Sequence, residues 1–151
     1  MSDNLNSDVF LIGTGLMGME YSHVLNGLDI RHVVIGRSTK NAKIFEEVTK
    51  IKPITGGIVK NVKLIKNAKY IIIAVGVNDL YDVTNHLLET TNCKNILVEK
   101  PAGINIAQIN NLYSKSQEKS CNLYVAYNRR FYNSVIKAKE LIKNDGGVTS
   151  M

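Results

Sequence analysis

Three glycines near the amino-terminal end have the type and spacing that bind a pyrophosphate. They form the pattern Gly13-x-Gly15-x-x-Gly18, directly after the apolar run VFLI at residues 9–12. Gly13 can take a sharp turn, Gly15 has no Cβ to block a phosphate, and Gly18 lets a helix pack close to the preceding strand. The stretch predicts a strand, a tight turn and the start of a helix that together bind a dinucleotide.

A helix is expected to follow the loop over residues 16–25, and Asn26-Gly27 marks its end. The free N–H groups of its first turn, at Leu16 and Met17, and the positive end of its dipole would then face the phosphates. The alternative is a purely structural turn, because a single glycine pattern of this kind also arises by chance.

The second strand ends in residues whose charge bears on the choice of dinucleotide. Residues 31–35, RHVVI, predict this strand, and Gly36-Arg37-Ser38 follow it. The residue about 20 positions after the loop meets the adenine ribose, where an acid binds the 2′-hydroxyl of NAD and repels the 2′-phosphate of NADP. No acid stands here, whereas Arg37 and Ser38 offer a guanidinium and a hydroxyl to a phosphate. We therefore expect NADP in preference to NAD; the alternative is an exposed arginine in a turn.

Strands and helices alternate along the rest of the chain. Further strands are expected at residues 70–75, 95–98 and 123–126, with a short one within 54–64, and helices at 39–51, 80–88, 105–119 and 133–143. The last helix is expected to be capped by Asn133 and to turn four apolar residues inward, namely Val135, Ala138, Leu141 and Ile142. Residues 148–151 are expected to begin another strand. This alternation predicts an α/β fold with a doubly wound parallel sheet, the Rossmann fold.

The apolar strand at residues 70–75 is expected to lie beside the first strand, where the order of the sheet reverses. Ligands bind at such a switch point, so Val75, Gly76 and Asn78 should face the cofactor crevice. His86 follows on the next helix without a second ligand one turn away. We expect it to be a surface or edge residue and not a metal ligand.

Composition narrows the class of protein. The chain has 151 residues, 44% of them apolar, and a net charge of +6, which fits one soluble domain. Its basic residues are scattered singly, so nucleic-acid binding is not expected. No apolar run approaches the roughly 20 residues of a membrane span and no signal stretch is present, so we expect a cytoplasmic protein without membrane contact. Cys93 and Cys121 are too few for a disulfide scaffold or a four-ligand zinc site.

Three stretches in order, GTGLMG, VEKPAG and AYNRRF, resemble the glucose-fructose oxidoreductase/inositol dehydrogenase (Gfo/Idh/MocA) family over essentially the whole chain. The resemblance implies a two-domain enzyme with an amino-terminal Rossmann domain. In such enzymes a second α/β domain closes the substrate site and often mediates oligomerisation, so a homo-oligomer is an expectation here. The implied reaction oxidises a hydroxyl of a sugar, cyclitol or nucleotide sugar, or reduces the matching carbonyl, with NAD or NADP.

The resemblance also implies roles for residues after the later strands. Lys100 would be the catalytic lysine, Glu99 and Pro101 would shape its turn, often with a cis peptide, and Asn128 and Arg130 would form part of the crevice wall. A hydroxyl that loses hydride needs a partner for its proton, and a lysine near a cationic nicotinamide is biased toward its neutral form. The alternative is a solvated lysine that precedes a helix-starting proline.

The chain departs from the family pattern where Thr-Pro-Asn-x-x-His is common, because it reads GVNDLY at residues 76–81 and retains only Asn78. We expect residues 1–131 to form the dinucleotide-binding domain and residues 132–151 a connecting helix and the start of a truncated second domain. The family's downstream Asp and His, and the substrate domain that carries them, are then missing. The competing hypothesis is a non-catalytic dinucleotide-binding regulator or assembly module, although a pure sensor would not need Lys100.

Overall fold

The computed structural model describes residues 7–148 of the chain. Within these residues the elements, in chain order, are β1 Val9–Ile12, α1 Leu16–Gly27, β2 His32–Ile35, α2 Thr39–Thr49, α3 Gly57–Ile65, β3 Tyr70–Ile73, α4 Val77–Thr90, β4 Asn95–Val98, α5 Ile106–Glu118, β5 Asn122–Val125, a 3₁₀ turn Asn128–Phe131, and α6 Asn133–Asn144. No helix among them combines the length and the apolar character that a membrane span requires.

The five strands form one parallel sheet in the order β2-β1-β3-β4-β5. The chain leaves β1 toward one edge to form β2 and returns on the other side of β1 to form β3. This reversal places a switch point between the carboxyl ends of β1 and β3, where a parallel α/β sheet binds its ligands. The predicted doubly wound α/β fold and the pairing of the first strand with the strand at Tyr70 are both confirmed.

Both faces of the sheet are covered at β1, which explains why this strand is apolar at every position. Phe10 and Ile12 pack into the larger of two core clusters, whereas Leu11 packs into the smaller one on the opposite face. This alternation follows from the two-residue period of a strand. Phe45 of α2 lies in the smaller cluster and is fully buried. A strand buried on both faces has no polar positions, so the sequence shows an uninterrupted apolar run.

The prediction of a short strand within residues 54–64 is wrong. Extended pairing is confined to a single parallel bridge between Ile35 and Ile54. Gly56 and Gly57 then take φ angles of +97° and +72°, which turn the chain out of the extended conformation. Gly57 begins α3, whose last residue, Ile65, is fully buried.

Side chains cap two of the helices. Ser38 Oγ accepts a hydrogen bond from Asn41 N at 3.4 Å at the start of α2. Asn105 Oδ1 accepts one from Gln108 N at 2.9 Å at the start of α5. The predicted capping by Asn133 is wrong, because α6 includes Asn133 and Tyr132 stands at its cap position without a side-chain hydrogen bond.

The inward face predicted for α6 is also wrong within the part of the chain that the structure describes. No residue of α6 is buried, and Leu141 is 57% exposed. Ala138 and Ile142 are exposed as well, and Val135 is half-buried. Among residues 7–148 no element covers this apolar face. The strand expected to begin at residue 148 falls, from residue 149 onward, outside the described residues.

The packing of α2 on the sheet leads to a stability prediction. Phe45→Ala should lower the free energy of unfolding by about 3–5 kcal/mol, because it removes a fully buried ring and leaves a cavity. Ile44→Ala, at the neighbouring position that is 44% exposed, should change it by less than about 1 kcal/mol. Urea unfolding of both variants measures the difference. Equal losses for the two variants would show that α2 does not pack as described.

Candidate functional site

The glycine loop is held against the ends of two strands by backbone contacts. Gly13 N donates to Ile35 O of β2 at 2.9 Å. A Cβ on Gly13 would stand 2.2 Å from Ala74 O, just past β3, and the φ of Gly13 is +124°. Both the conformation and the lack of space therefore require glycine at this position.

The start of α1 is open toward the space above the loop. A Cβ on Gly18 would lie 2.3 Å from Gly13 O, so the helix packs directly on the turn. A Cβ on Gly15 would meet nothing within 4 Å, and Gly15 caps α1 without a side-chain hydrogen bond. Leu16 and Met17 of the first turn are exposed. The first N–H groups of α1 therefore have no side-chain cap and face free space, the arrangement that binds phosphate.

A cavity of about 800 Å³ extends from this loop between β2, α3 and α4, and cavities of this size hold small molecules and cofactors. Eight of the residues predicted from the sequence line it: Gly13, Gly15, Leu16, Met17, Arg37, Ser38, Val75 and Gly76. The other five predicted binding residues lie outside its lining: Gly18, Asn78, Glu99, Lys100 and Asn128.

Arg37 is paired with an acid that the sequence argument did not consider. Its Nη2 donates to Asp79 Oδ2 at 3.3 Å, with the two side chains 81% and 43% exposed. Asp79 stands in the first turn of α4, next to Gly76. The expectation that no carboxylate opposes Arg37 is therefore wrong, because the acid comes from α4 and not from the end of β2.

The turn that carries Lys100 lies at the carboxyl edge of β4, beside the end of β3. Glu99 N donates to Ile73 O at 2.9 Å. The side chain of Glu99 accepts a hydrogen bond from Tyr21 Oη of α1 at 2.7 Å. Burial, and then this hydrogen bond to the Glu99 carboxylate, raise the pKa of Tyr21 well above its usual value. The phenol therefore stays protonated and keeps donating to Glu99.

Lys100 itself is exposed, and the expected cis peptide bond to Pro101 is present. Asn128 begins the 3₁₀ turn after β5 and is exposed, as is Arg130, whose guanidinium carbon lies 5.7 Å from the centroid of the Phe131 ring. These residues share the carboxyl edge of the sheet with the glycine loop. They do not form one closed pocket with it in residues 7–148.

Sequence reasoning missed part of the cavity wall. The start of α3 contributes four residues, Gly56, Gly57, Ile58 and Val59, and further lining residues are Asn41, Asp79, Asp82, Val83 and His86. The adjacent glycines at 56 and 57 were the available signal for a turn at this place. His86, expected to be a surface or edge residue, is half-buried on this wall, and its Nε2 is buried without a hydrogen-bond partner. No group of His, Cys, Asp and Glu among the described residues could hold a metal ion.

Comparison with protein families identifies the fold independently. Residues 8–127 match the Gfo/Idh/MocA family model, described as an oxidoreductase family with an NAD-binding Rossmann fold. A search of the curated proteins found no match.

Several solved structures share the fold of this chain at low sequence identity. GenD2 from gentamicin A biosynthesis, in complex with NAD, has a TM-score of 0.78 at 17% identity over 94% of this chain and 40% of that one. A putative myo-inositol dehydrogenase from Sinorhizobium meliloti has a TM-score of 0.74 at 18% identity, over 91% and 41%. The WlbA dehydrogenase from Chromobacterium violaceum, with NADH and UDP-GlcNAcA, has a TM-score of 0.78 at 12% identity, over 96% and 41%. The chain thus spans about two fifths of the length of these structures, and the likeness concerns the fold.

The open space at Gly15 provides a test of phosphate binding. Gly15→Val should keep the melting temperature within a few degrees of the wild type but weaken NADH and NADPH binding by more than about a hundredfold, since the side chain would fill the phosphate space. Gly27→Val is the matched control, because a Cβ there also meets open space, at the other end of α1. Calorimetric titration of both variants measures the affinities. Equal binding by Gly15→Val and Gly27→Val would contradict this assignment.

Proposed function

Because the chain belongs to the Gfo/Idh/MocA oxidoreductase family and contains its NAD-binding Rossmann domain, we propose that the cavity binds a nicotinamide dinucleotide by its pyrophosphate. The observation that carries the proposal is the free space above Gly15, faced by the first N–H groups of α1. The cavity continues from there to Arg37 and Ser38, which would take the adenosine end. Val75 and Gly76 would line the cavity between the space for the pyrophosphate and the end for the adenosine.

The finer proposal is that NADP binds in preference to NAD. Arg37 lines the cavity at the end of β2, where the 2′ position of the adenine ribose lies in dinucleotide-binding folds. Its guanidinium would pair with a 2′-phosphate in a charge-assisted contact. Ser38 Oγ stands beside it at the cap of α2.

The chemistry we propose is hydride transfer between the dinucleotide and a carbon that bears a hydroxyl. The bound nicotinamide supplies the hydride acceptor or donor. Lys100 would take the hydroxyl proton as the carbonyl forms and return it in the reverse direction. Glu99, held by Tyr21, would position the turn that presents Lys100.

For the substrate we propose a sugar, cyclitol or nucleotide sugar. Support comes from the similar structures, which include a dehydrogenase in complex with UDP-GlcNAcA and a putative myo-inositol dehydrogenase. Lys100 is exposed in the described residues. Turnover would therefore also require a cover over Lys100 that orients the substrate and excludes water.

We propose a domain boundary at residue 131, with residues 132–151 as a connecting helix and the start of a second domain. The uncovered apolar face of α6 supports this assignment, since a connecting helix needs a packing partner elsewhere. That partner is a second domain or a second copy of the chain. The competing proposal, a dinucleotide-binding regulator or assembly module without catalysis, has support from the position of Lys100 outside the cavity lining.

Dinucleotide preference is testable through Arg37. Arg37→Ala should weaken NADPH binding about tenfold, because a charge-assisted contact with the 2′-phosphate is lost, and should change NADH binding by less than about threefold. Arg31→Ala is the control for the loss of one positive charge outside the cavity lining. Fluorescence titration of the wild type and both variants with NADH and with NADPH gives the six affinities. An equal loss for NADH and NADPH would exclude a 2′-phosphate contact.

Catalytic competence separates the two functional proposals. The 151-residue chain should bind cofactor yet turn over sugars and nucleotide sugars several orders of magnitude below the roughly 1–1,000 per second of typical enzymes, since Lys100 is open to water. A version extended by a second domain should restore turnover, and Lys100→Met should abolish it there. Steady-state assays over a substrate panel measure both. Extended chains that remain inactive while binding cofactor would favour the regulator.

A further inference from the structure

The cavity holds a charged pair that connects two of its walls. Arg37 follows β2, and its backbone is fixed on both sides: Gly36 N donates to Ile54 O at 2.9 Å and Gly57 N donates to Gly36 O at 2.9 Å. The guanidinium, by contrast, is held by no packing, since the side chain is 81% exposed. The guanidinium contacts the Asp79 carboxylate through the hydrogen bond at 3.3 Å.

Asp79 is placed for this contact by the start of α4. Its N–H donates to Gly76 O at 2.8 Å in the first turn, and Oδ2 lies 3.9 Å from the point where a Cβ on Gly76 would stand. The carboxylate therefore lies over the floor of the cavity.

Arg37 alone would favour a negatively charged ligand, but most of the charged side chains that line the cavity are acidic. They are one guanidinium, Arg37, and two carboxylates, Asp79 and Asp82. A 2′-phosphate carries a charge of about −1.5 to −2 and needs a free cation to offset these carboxylates. The guanidinium that would serve is already engaged with Asp79 at 3.3 Å.

We propose that Asp79 is a specificity-determining residue that restrains NADP binding by competing with the 2′-phosphate for the Arg37 guanidinium. The inference rests on the proposed dinucleotide function and refines it. NADP must displace the Asp79 carboxylate from Arg37, whereas NAD has no 2′-phosphate and leaves the pair intact. Asp79 thereby supplies, from α4, the acid that is absent at the end of β2.

The test is a comparison of two isosteric substitutions on the same helix. Asp79→Asn should tighten NADPH binding by about tenfold and change NADH binding by less than about threefold, because it frees Arg37 from a charged partner. Asp82→Asn removes the same charge one turn along the same wall, and the ion pair of Arg37 is with Asp79. Asp82→Asn should therefore tighten NADPH binding by less than a third of the factor expected for Asp79→Asn. Calorimetric titration of the wild type and each variant measures how far the affinity for NADH and the affinity for NADPH change.

The double variant Arg37→Ala/Asp79→Asn tests the competition itself. Relative to Arg37→Ala alone, it should bind NADPH no tighter, because Asp79 acts through the guanidinium. A gain that persists in the Arg37→Ala background, or equal gains from Asp79→Asn and Asp82→Asn, would overturn the inference while dinucleotide binding stands. A wild-type chain that binds neither cofactor at millimolar concentration would overturn the proposed function and this inference together.

Discussion

The structure depends on a close backbone contact at the junction of β1 and β3. A Cβ on Gly13 would stand 2.2 Å from Ala74 O, and a Cβ on Gly18 would stand 2.3 Å from Gly13 O. Two successive elements can approach this closely only without side chains between them. The contact sets α1 directly on the turn, so that its amino-terminal end opens into the cavity. A larger residue at either position would separate the helix from the sheet and displace the phosphate-binding end.

The same helix connects the two ends of the proposed reaction site. Its first turn faces the space for the phosphates, and Tyr21, one turn further along, donates to Glu99 at the end of β4. The peptide after Glu99 carries Lys100, the proposed proton acceptor. The glycine loop and the lysine turn therefore share one rigid element, although Lys100 stays exposed and lies outside the cavity lining. The described residues therefore form a cavity suited to the cofactor, but they do not enclose a space for a substrate beside Lys100.

Features that depend on neighbouring residues could be predicted from the sequence. The glycine loop and the four strands expected at residues 31–35, 70–75, 95–98 and 123–126 each rest on a short pattern, and the structure has a strand at each place, within one or two residues at the ends. The Arg37–Asp79 pair could not be predicted, because it joins residues 42 positions apart and depends on how α4 is placed relative to β2. The prediction of a short strand within residues 54–64 was wrong for a local reason, because Gly56 and Gly57 turn the chain into α3. The prediction of a buried face on α6 was wrong because an apolar pattern predicts burial but does not specify which element covers it.

The proposed function requires that α1 and its glycine loop bind the pyrophosphate of a dinucleotide. The most direct measurement follows the backbone amide signals of the ¹⁵N-labelled chain by NMR during titration with NADPH and with NADH. The amides of Gly15, Leu16 and Met17 should shift most and saturate together, and that of Arg37 should shift more for NADPH than for NADH. Amides of the loop that stay unchanged at millimolar cofactor, or shifts concentrated at the amino-terminal edge of the sheet near Asn95 and Asn122, would contradict it.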